Sequence, residues 1–226
     1  MKLEKITSIH GRRYEDACGT ALGLEILGER WALLVVRELM LGPKRFGDLR
    51  SSLPGLSANV LTQRLEGLEA AGVVRRRKLA PPASVQVYEL TPWGLEAEPI
   101  IQAMGRWAAR SPDHDATLPL SPVGLMLSFR TMFDAGKAGA ARTALGFRFG
   151  AESFVVRVAD GMLQAARAEP ESVEAVLTGT PEAVAAAVYG PAPERLEGLT
   201  VAGEAAAFVR FTGWFELPPK AERGAA

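Results

Sequence analysis

Asn59, Thr62 and Gln63 stand within one short amphipathic segment, and Arg75, Arg76, Arg77 and Lys78 follow it as an unbroken basic run. Amide and hydroxyl groups both donate and accept hydrogen bonds, the chemistry needed to read base edges in a major groove; Asn and Gln suit adenine in particular. Guanidinium and ammonium groups pair with phosphate oxygens, the sequence-independent part of nucleic-acid binding. Polar faces and solvated charge runs also occur on surfaces that bind nothing, so the two sets acquire meaning only if the fold brings them side by side. Lys44 and Arg45 form a smaller basic pair upstream, and Ser57 and Arg64 flank the amide-bearing segment. Cys18, the only cysteine, offers a different chemistry. As a thiolate it is a nucleophile and redox centre, helped by Arg12 and Arg13 and opposed by Glu15 and Asp16; as a thiol it is a small apolar residue suited to packing.

Other chemistries find little to work with. His10 and His114 have no cysteine or carboxylate partners at metal-ligand spacing, and there is no Walker loop, dinucleotide fingerprint or nucleophile elbow. No enzymatic activity, metal or cofactor is expected. A lone cysteine excludes an intrachain disulfide framework, and the longest purely apolar stretches, such as residues 31–36, are far too short for a membrane span. A cytoplasmic protein with no membrane association is expected. The formal net charge of 0 over 226 residues conceals two unlike halves. Residues 1–110 carry 16 Lys+Arg against 12 Asp+Glu, while residues 111–226 carry 10 against 14. Phe46 is alone in the first half; the other eight phenylalanines lie in the second. Between them SPDHDATLPLSP has three prolines and no apolar period, which predicts a linker. The expected layout is a first domain over residues 1–112, a linker over 113–122, a second domain over 123–218 and a tail over 219–226.

Positioning the two polar sets falls to a short run of elements. Residues 17–27 have apolar positions at helical spacing before Gly28, and RWALLVVRELMLG, residues 30–42, is a second, strongly apolar helix ended by Gly42 and Pro43. KRFGDLRSSL gives a short third helix with Phe46, Leu49 and Leu53 on one face, then a turn at Pro54 and Gly55. Ser57 occupies the N-cap position of a fourth helix that ends near Gly72. Its inward stripe is Leu61, Leu65 and Leu68, which turns Asn59, Thr62, Gln63 and Glu66 outward with Arg64 on the flank. VVRRRKLAPPASVQVYELT then places β-branched residues on either side of a proline-bearing tip, predicting antiparallel strands over 73–79 and 85–90. Helix, turn, helix and hairpin is the winged helix-turn-helix order, in which the second helix of the pair enters the major groove. A further helix is expected over residues 93–109, with Ile100, Ile101, Met104 and Trp107 as its apolar positions.

RWALLVVRELMLGPKRFGDL, LPGLSANVLTQRLEGLEAAGVV and VYELTPWG resemble, in order and spacing, the HxlR-type winged-helix transcriptional regulators of bacteria, over roughly residues 18–107. The resemblance implies a homodimer on a pseudo-palindromic double-stranded DNA operator, with the helix from Ser57 as recognition helix and the hairpin as wing. Lys44, Arg45, Ser57, Asn59, Thr62, Gln63, Arg64, Arg75, Arg76, Arg77 and Lys78 are the expected DNA contacts. The dimer interface would come from residues 17–27 and 93–109. Cys18 matches the position where redox-sensing members carry a reactive thiol.

Beyond the linker, GLMLSFRTMF opens as an apolar helix, Phe147 and Phe149 alternate with Arg148, and Phe154, Val156 and Val158 alternate with Val155 and Arg157 as strands. ADG at 159–161 is a hairpin turn, and Thr180 caps a helix with Pro181 at its first position. An α+β domain with an antiparallel sheet is expected. VVRVADGMLQAARAE, LTGTPEAVAAAV and LTVAGEAAAFVRFTGWF resemble the sterol carrier protein type two domain, over roughly residues 123–217. That resemblance implies an apolar tunnel for lipid-like molecules, with Met126, Phe129, Met132, Phe133, Phe147, Phe149, Phe154, Met162, Phe208, Phe211 and Trp214 as candidate lining. Arg130, Arg148, Arg157 and Arg210 are charged residues inside apolar segments, placed either to meet a ligand carboxylate or phenolate or to be solvated. The expected protein is a DNA-binding regulator, a repressor, whose second domain senses an apolar or amphipathic small-molecule effector. Thiol sensing through Cys18 and a lipid carrier with no DNA function are the competing expectations.

Overall fold

Burying Leu61, Leu65 and Leu68 on one side of a helix contributes about 2 kcal/mol each, enough to fix the rotation of that helix and build the first unit around it. The computed structural model describes residues 14–81, 83–190 and 196–223. Their chain divides into two compact units, within Met1–Ala97 and Glu98–Ala226. In the first, α1 (Gly19–Leu27), α2 (Ala32–Leu39), α3 (Phe46–Ser52) and α4 (Ala58–Ala70) precede a hairpin of β1 (Val74–Lys78) and β2 (Gln86–Leu90). Val35, Val36, Leu39 and Leu49 of α2 and α3 join the three α4 leucines and Val73, Val74 and Val87 in the core. Ser57 caps α4 as its position predicts, its hydroxyl accepting from the Val60 amide at 3.3 Å. The hairpin is antiparallel, Arg76 opposite Tyr88, and Lys44 adds a backbone bridge to Tyr88.

The helix expected over residues 93–109 is broken in two. Thr91 caps a single turn, α5 (Pro92–Leu95), and α6 (Glu98–Ala109) starts afresh in the second unit. Pro99 explains the break: it lacks the amide needed to continue a helix from residue 95.

The second unit continues with α7 (Pro122–Met132), α8 (Ala135–Ala138), β3 (Thr143–Phe149), β4 (Glu152–Ala159), β5 (Met162–Arg167), β6 (Ala175–Thr178), α9 (Pro181–Tyr189), β7 (Thr200–Gly203) and α10 (Ala205–Thr212). Ser121 caps α7 and Thr180 caps α9. Asp160 and Gly161, both with positive φ, make the tight turn between β4 and β5. The sheet runs β5-β4-β3-β6-β7, and it is mixed instead of antiparallel throughout, because β6 pairs parallel to β3. Residues 168–174 carry the chain across the outward face of the sheet from β5 to β6. Their Pro170 lies so close over β3 that a Cβ on Gly146 would stand 2.3 Å from the Pro170 Cβ; glycine in the middle of a strand marks this close approach. Leu145, Phe147, Phe154, Val156 and Leu177 are buried from the sheet's other face, with Phe129 of α7 and Phe208 and Phe211 of α10.

Candidate nucleic-acid interface

The outward face of α4 consists of Asn59, Thr62, Gln63 and Glu66, all exposed. The Thr62 hydroxyl donates back to the Ala58 carbonyl at 3.0 Å, which leaves its oxygen lone pairs outward. Ser57 is exposed as well, although its hydroxyl is committed to capping. A helix with fixed rotation and an outward row of amides and hydroxyl can present donors and acceptors to base edges.

β1 follows directly, and its basic run is arranged around two carboxylates. Arg75 Nε donates to Glu89 at 2.8 Å, and Arg77 pairs with the other oxygen of the same carboxylate at 2.8 Å. Arg76 grips Glu69, near the end of α4, with Nε at 2.8 Å and Nη2 at 2.5 Å. The Arg76 hydrogen bonds hold the Glu69 carboxyl below the usual carboxylate range, and the bonds from Arg77 and then Arg75 do the same for Glu89. Four cations face two carboxylates, so the strand keeps a net positive charge in an ordered array. Lys78 ends that array, exposed. Arg45 is exposed at the start of α3, and Arg50 is exposed at the last turn of the same helix. Arg50 lies outside the expected set, because one surface arginine in a polar run gives no sequence signal.

Two expected DNA contacts are committed elsewhere. Lys44 is buried, its Nζ 3.0 Å from Glu38 and 2.8 Å from the Ser52 hydroxyl. Glu38 itself is wholly buried and also meets Arg37 at 2.8 Å. A buried carboxylate demands countercharge, so Lys44 serves the core and not a phosphate. Arg64 turns back onto the α1–α2 connection, donating to the Arg30 carbonyl and pairing with Glu29, each at 2.9 Å. The Arg30 carbonyl it meets directly precedes Trp31, which has a left-handed φ of 79°.

Cys18 is exposed at the N-terminus of α1, so the packing role fails for this unit taken by itself. The Thr20 amide, then its hydroxyl and the Ala21 amide, lower the thiol's pKa as donors near the sulfur, short of a formed capping bond. Arg12, Arg13 and His10 lie outside the described residues. No cluster of His, Cys, Asp and Glu among the described residues is placed to hold a metal ion.

In the second unit the expected lining residues form a packed aromatic group. Phe129 meets Phe147, Phe211 and Phe215 at ring-centroid distances of 5.7, 5.4 and 5.2 Å. Phe149 bridges Phe147 and Phe154, and Trp214 meets Phe211. Met126 and Met132 are buried beside them, and Phe133 reaches Phe215. Met162 does not belong to this group: it is 61% exposed, because the tight turn pairs it with Ala159 on the outward face. Of the four candidate arginines, Arg130 pairs with Glu98 at 2.7 Å, Arg148 with Glu169 at 3.7 Å, and Arg210 with Glu174 and Glu204 at 3.1 Å; Arg157 is exposed on the outward face. No helix among the described residues is long and apolar enough to cross a membrane.

Residues 26–116 match the family described as HxlR-like helix-turn-helix. The uncharacterized HTH-type transcriptional regulator YvaP of Bacillus subtilis (strain 168) is 40% identical over 86 residues, 38% of this chain and 79% of the relative. The HTH-type transcriptional regulator YodB of the same organism is 36% identical over 83 residues, 37% of this chain and 74% of the relative. Among solved structures, the reduced form of YodB from B. subtilis is similar with 31% identity and a TM-score of 0.40, covering 44% of this chain and 100% of that one.

Proposed function

This chain belongs to the HxlR-like helix-turn-helix family of transcriptional regulators, and from that premise we propose that it acts as a homodimeric repressor, with α4 in the major groove of a double-stranded operator and the β1–β2 hairpin along the backbone. The observation that carries this reading is the adjacency of an outward amide and hydroxyl face on α4 with an ordered cationic strand. Asn59, Thr62 and Gln63 read base edges; Arg75, Arg76, Arg77, Lys78, Arg45 and Arg50 hold phosphates. Dimerisation is supported by α6, where Ile100, Met104 and Trp107 form an exposed apolar row, Trp107 at 75%. Fluorescence anisotropy on operator and scrambled duplexes over a salt series tests the assignment. Arg77→Ala should weaken binding to both duplexes and flatten the salt dependence, whereas Gln63→Ala should narrow the preference for operator. Equal salt slopes for the parent and Arg77→Ala would remove the wing from the site, and salt-insensitive binding throughout would favour the lipid-carrier alternative.

We assign the effector to the second unit on the resemblance of its sequence to sterol carrier domains. An apolar or amphipathic molecule binding better to the DNA-incompetent dimer shifts the population off the operator by that difference in affinity. The aromatic rings are in mutual contact, so such a ligand must separate packed side chains or lie at the edge of the group. A second sensing route is favoured by one observation, the exposed Cys18 with its lowered pKa. Electrophile-dependent release of DNA that persists in Cys18→Ser would end that route.

A further inference from the structure

Arg167 carries two hydrogen-bond donors that no described residue uses. It closes β5 on the inward side of the strand, directly opposite Phe154, with its guanidinium carbon 4.9 Å from the centre of that ring. Nη1 is held by Glu152. Nε and Nη2 are buried, with no hydrogen-bond partner among the described residues. These two nitrogens form the edge of the guanidinium whose N–H bonds point side by side, matched to the two oxygens of one carboxylate. Arg76 uses that same edge on Glu69. Burying such donors without an acceptor costs more than an ordinary hydrogen bond contributes, so the arrangement calls for an anion. The surroundings say what the anion is attached to. Phe154 contacts Phe149, and Phe149 stacks on Phe147, so a row of rings leads from the guanidinium into the core.

We propose that Arg167 anchors the head group of an amphipathic carboxylic acid, whose carboxylate spans Nε and Nη2 while its apolar body lies along Phe154 and Phe149. The proposal rests on the effector reading of the second unit and narrows that effector to acids. Arg130, Arg148 and Arg210 are not equivalents: Arg130 spends Nη1 on Glu98 and Nη2 on the Ala165 carbonyl, and Arg148 and Arg210 are half exposed, so their donors reach water.

The test uses the full chain and three probes, dodecanoate, its methyl ester and 4-phenylbutyrate, with affinity read by native mass spectrometry and thermal shift. An acid should bind about tenfold or more tighter than the ester. Arg167→Gln should abolish that preference, Arg167→Lys should restore only part of it by returning charge without the two-pronged edge, and Arg157→Gln should leave it intact. Equal binding of acid and ester, failure of both acids to bind, or a preference that survives in Arg167→Gln would overturn the anchor. If the Arg167 variants do not fold, the acid and ester comparison on the unaltered chain decides. Operator binding separates the two claims. An acid held through Arg167 that leaves DNA affinity unchanged removes the effector reading and keeps the anchor; DNA release by ester and acid alike, unaltered in Arg167→Gln, removes the anchor and keeps the effector.

Discussion

Replacing Lys44 with methionine separates a structural role from a DNA-contact role at one position. The ammonium lies in the first unit's core, 4% exposed, against a Glu38 carboxylate with no exposure at all. Removing one partner of a buried ion pair costs about 3–5 kcal/mol, because the remaining charge is left without compensation. Here Arg37 still reaches Glu38 at 2.8 Å, from a side chain 22% exposed, which places the expected loss near the lower end, about 3 kcal/mol. For a domain of this size each kcal/mol lowers the melting temperature by about 4–8 °C, so the first unit's transition should fall by roughly 12–24 °C in calorimetry of the full chain. Pairing Lys44→Met with Glu38→Leu should recover most of the loss, since apolar replacement of a whole buried pair is near neutral or stabilising. Below the melting range, the salt dependence of DNA binding in Lys44→Met should equal that of the parent. The reasoning is refuted if the melting temperature moves by less than about 4 °C while the slope of log K against log salt flattens by about 0.9, the change expected when one phosphate is no longer neutralised.

Glu89→Gln releases Arg75 and Arg77 from their shared carboxylate and should tighten DNA binding by roughly two- to fivefold per wing, the range set by exposed ion pairs; anisotropy showing weaker binding would mean that Glu89 positions the arginines instead of restraining them. The Glu69 carboxyl is held below its ordinary value of 4.5 by the hydrogen bonds from Arg76. A depressed folded-state value stabilises the fold above the unfolded value and loses that contribution as pH falls through the folded one, so the melting-temperature gap between parent and Glu69→Gln should be full above about pH 5 and close below 4.5. A gap that widens toward acid pH contradicts the pairing. Gly146→Ala should cost about 1–3 kcal/mol in urea unfolding through overpacking, because its Cβ would meet Pro170, and adding Pro170→Gly should relieve the loss; a neutral Gly146→Ala would mean that the crossing segment does not press on β3.

The α4 face was legible because the 3.6-residue period of Leu61, Leu65 and Leu68 fixes the helix rotation before any partner is known. The hairpin was legible for the same kind of reason, since β-branched residues either side of prolines leave few alternatives. Lys44 and Arg64 were not, because a basic side chain carries no mark of whether its countercharge is a phosphate or a carboxylate brought near by folding. Arg64 finds the Arg30 carbonyl 34 positions away in sequence, a pairing that no local pattern encodes. Alternation along β3 likewise predicts a strand without saying whether its neighbour is parallel, although Gly146 among aromatic residues was a signal that another segment crosses there. The misplacement of Met162 and of the strand arginines has one cause, which counting corrects. The tight Asp160–Gly161 turn pairs Ala159 with Met162, and since side chains alternate along a strand, Met162 must face outward and Leu163, Ala165 and Arg167 inward. Within the strands, residue type singles out Arg148 and Arg157, whose parity turns them to solvent, and passes over Arg167. An arginine facing water needs no acceptor from the protein or a ligand, while one facing a row of phenyl rings does; parity, and not the presence of charge in an apolar strand, identifies the arginine whose donors need an acceptor beyond the one that Glu152 supplies.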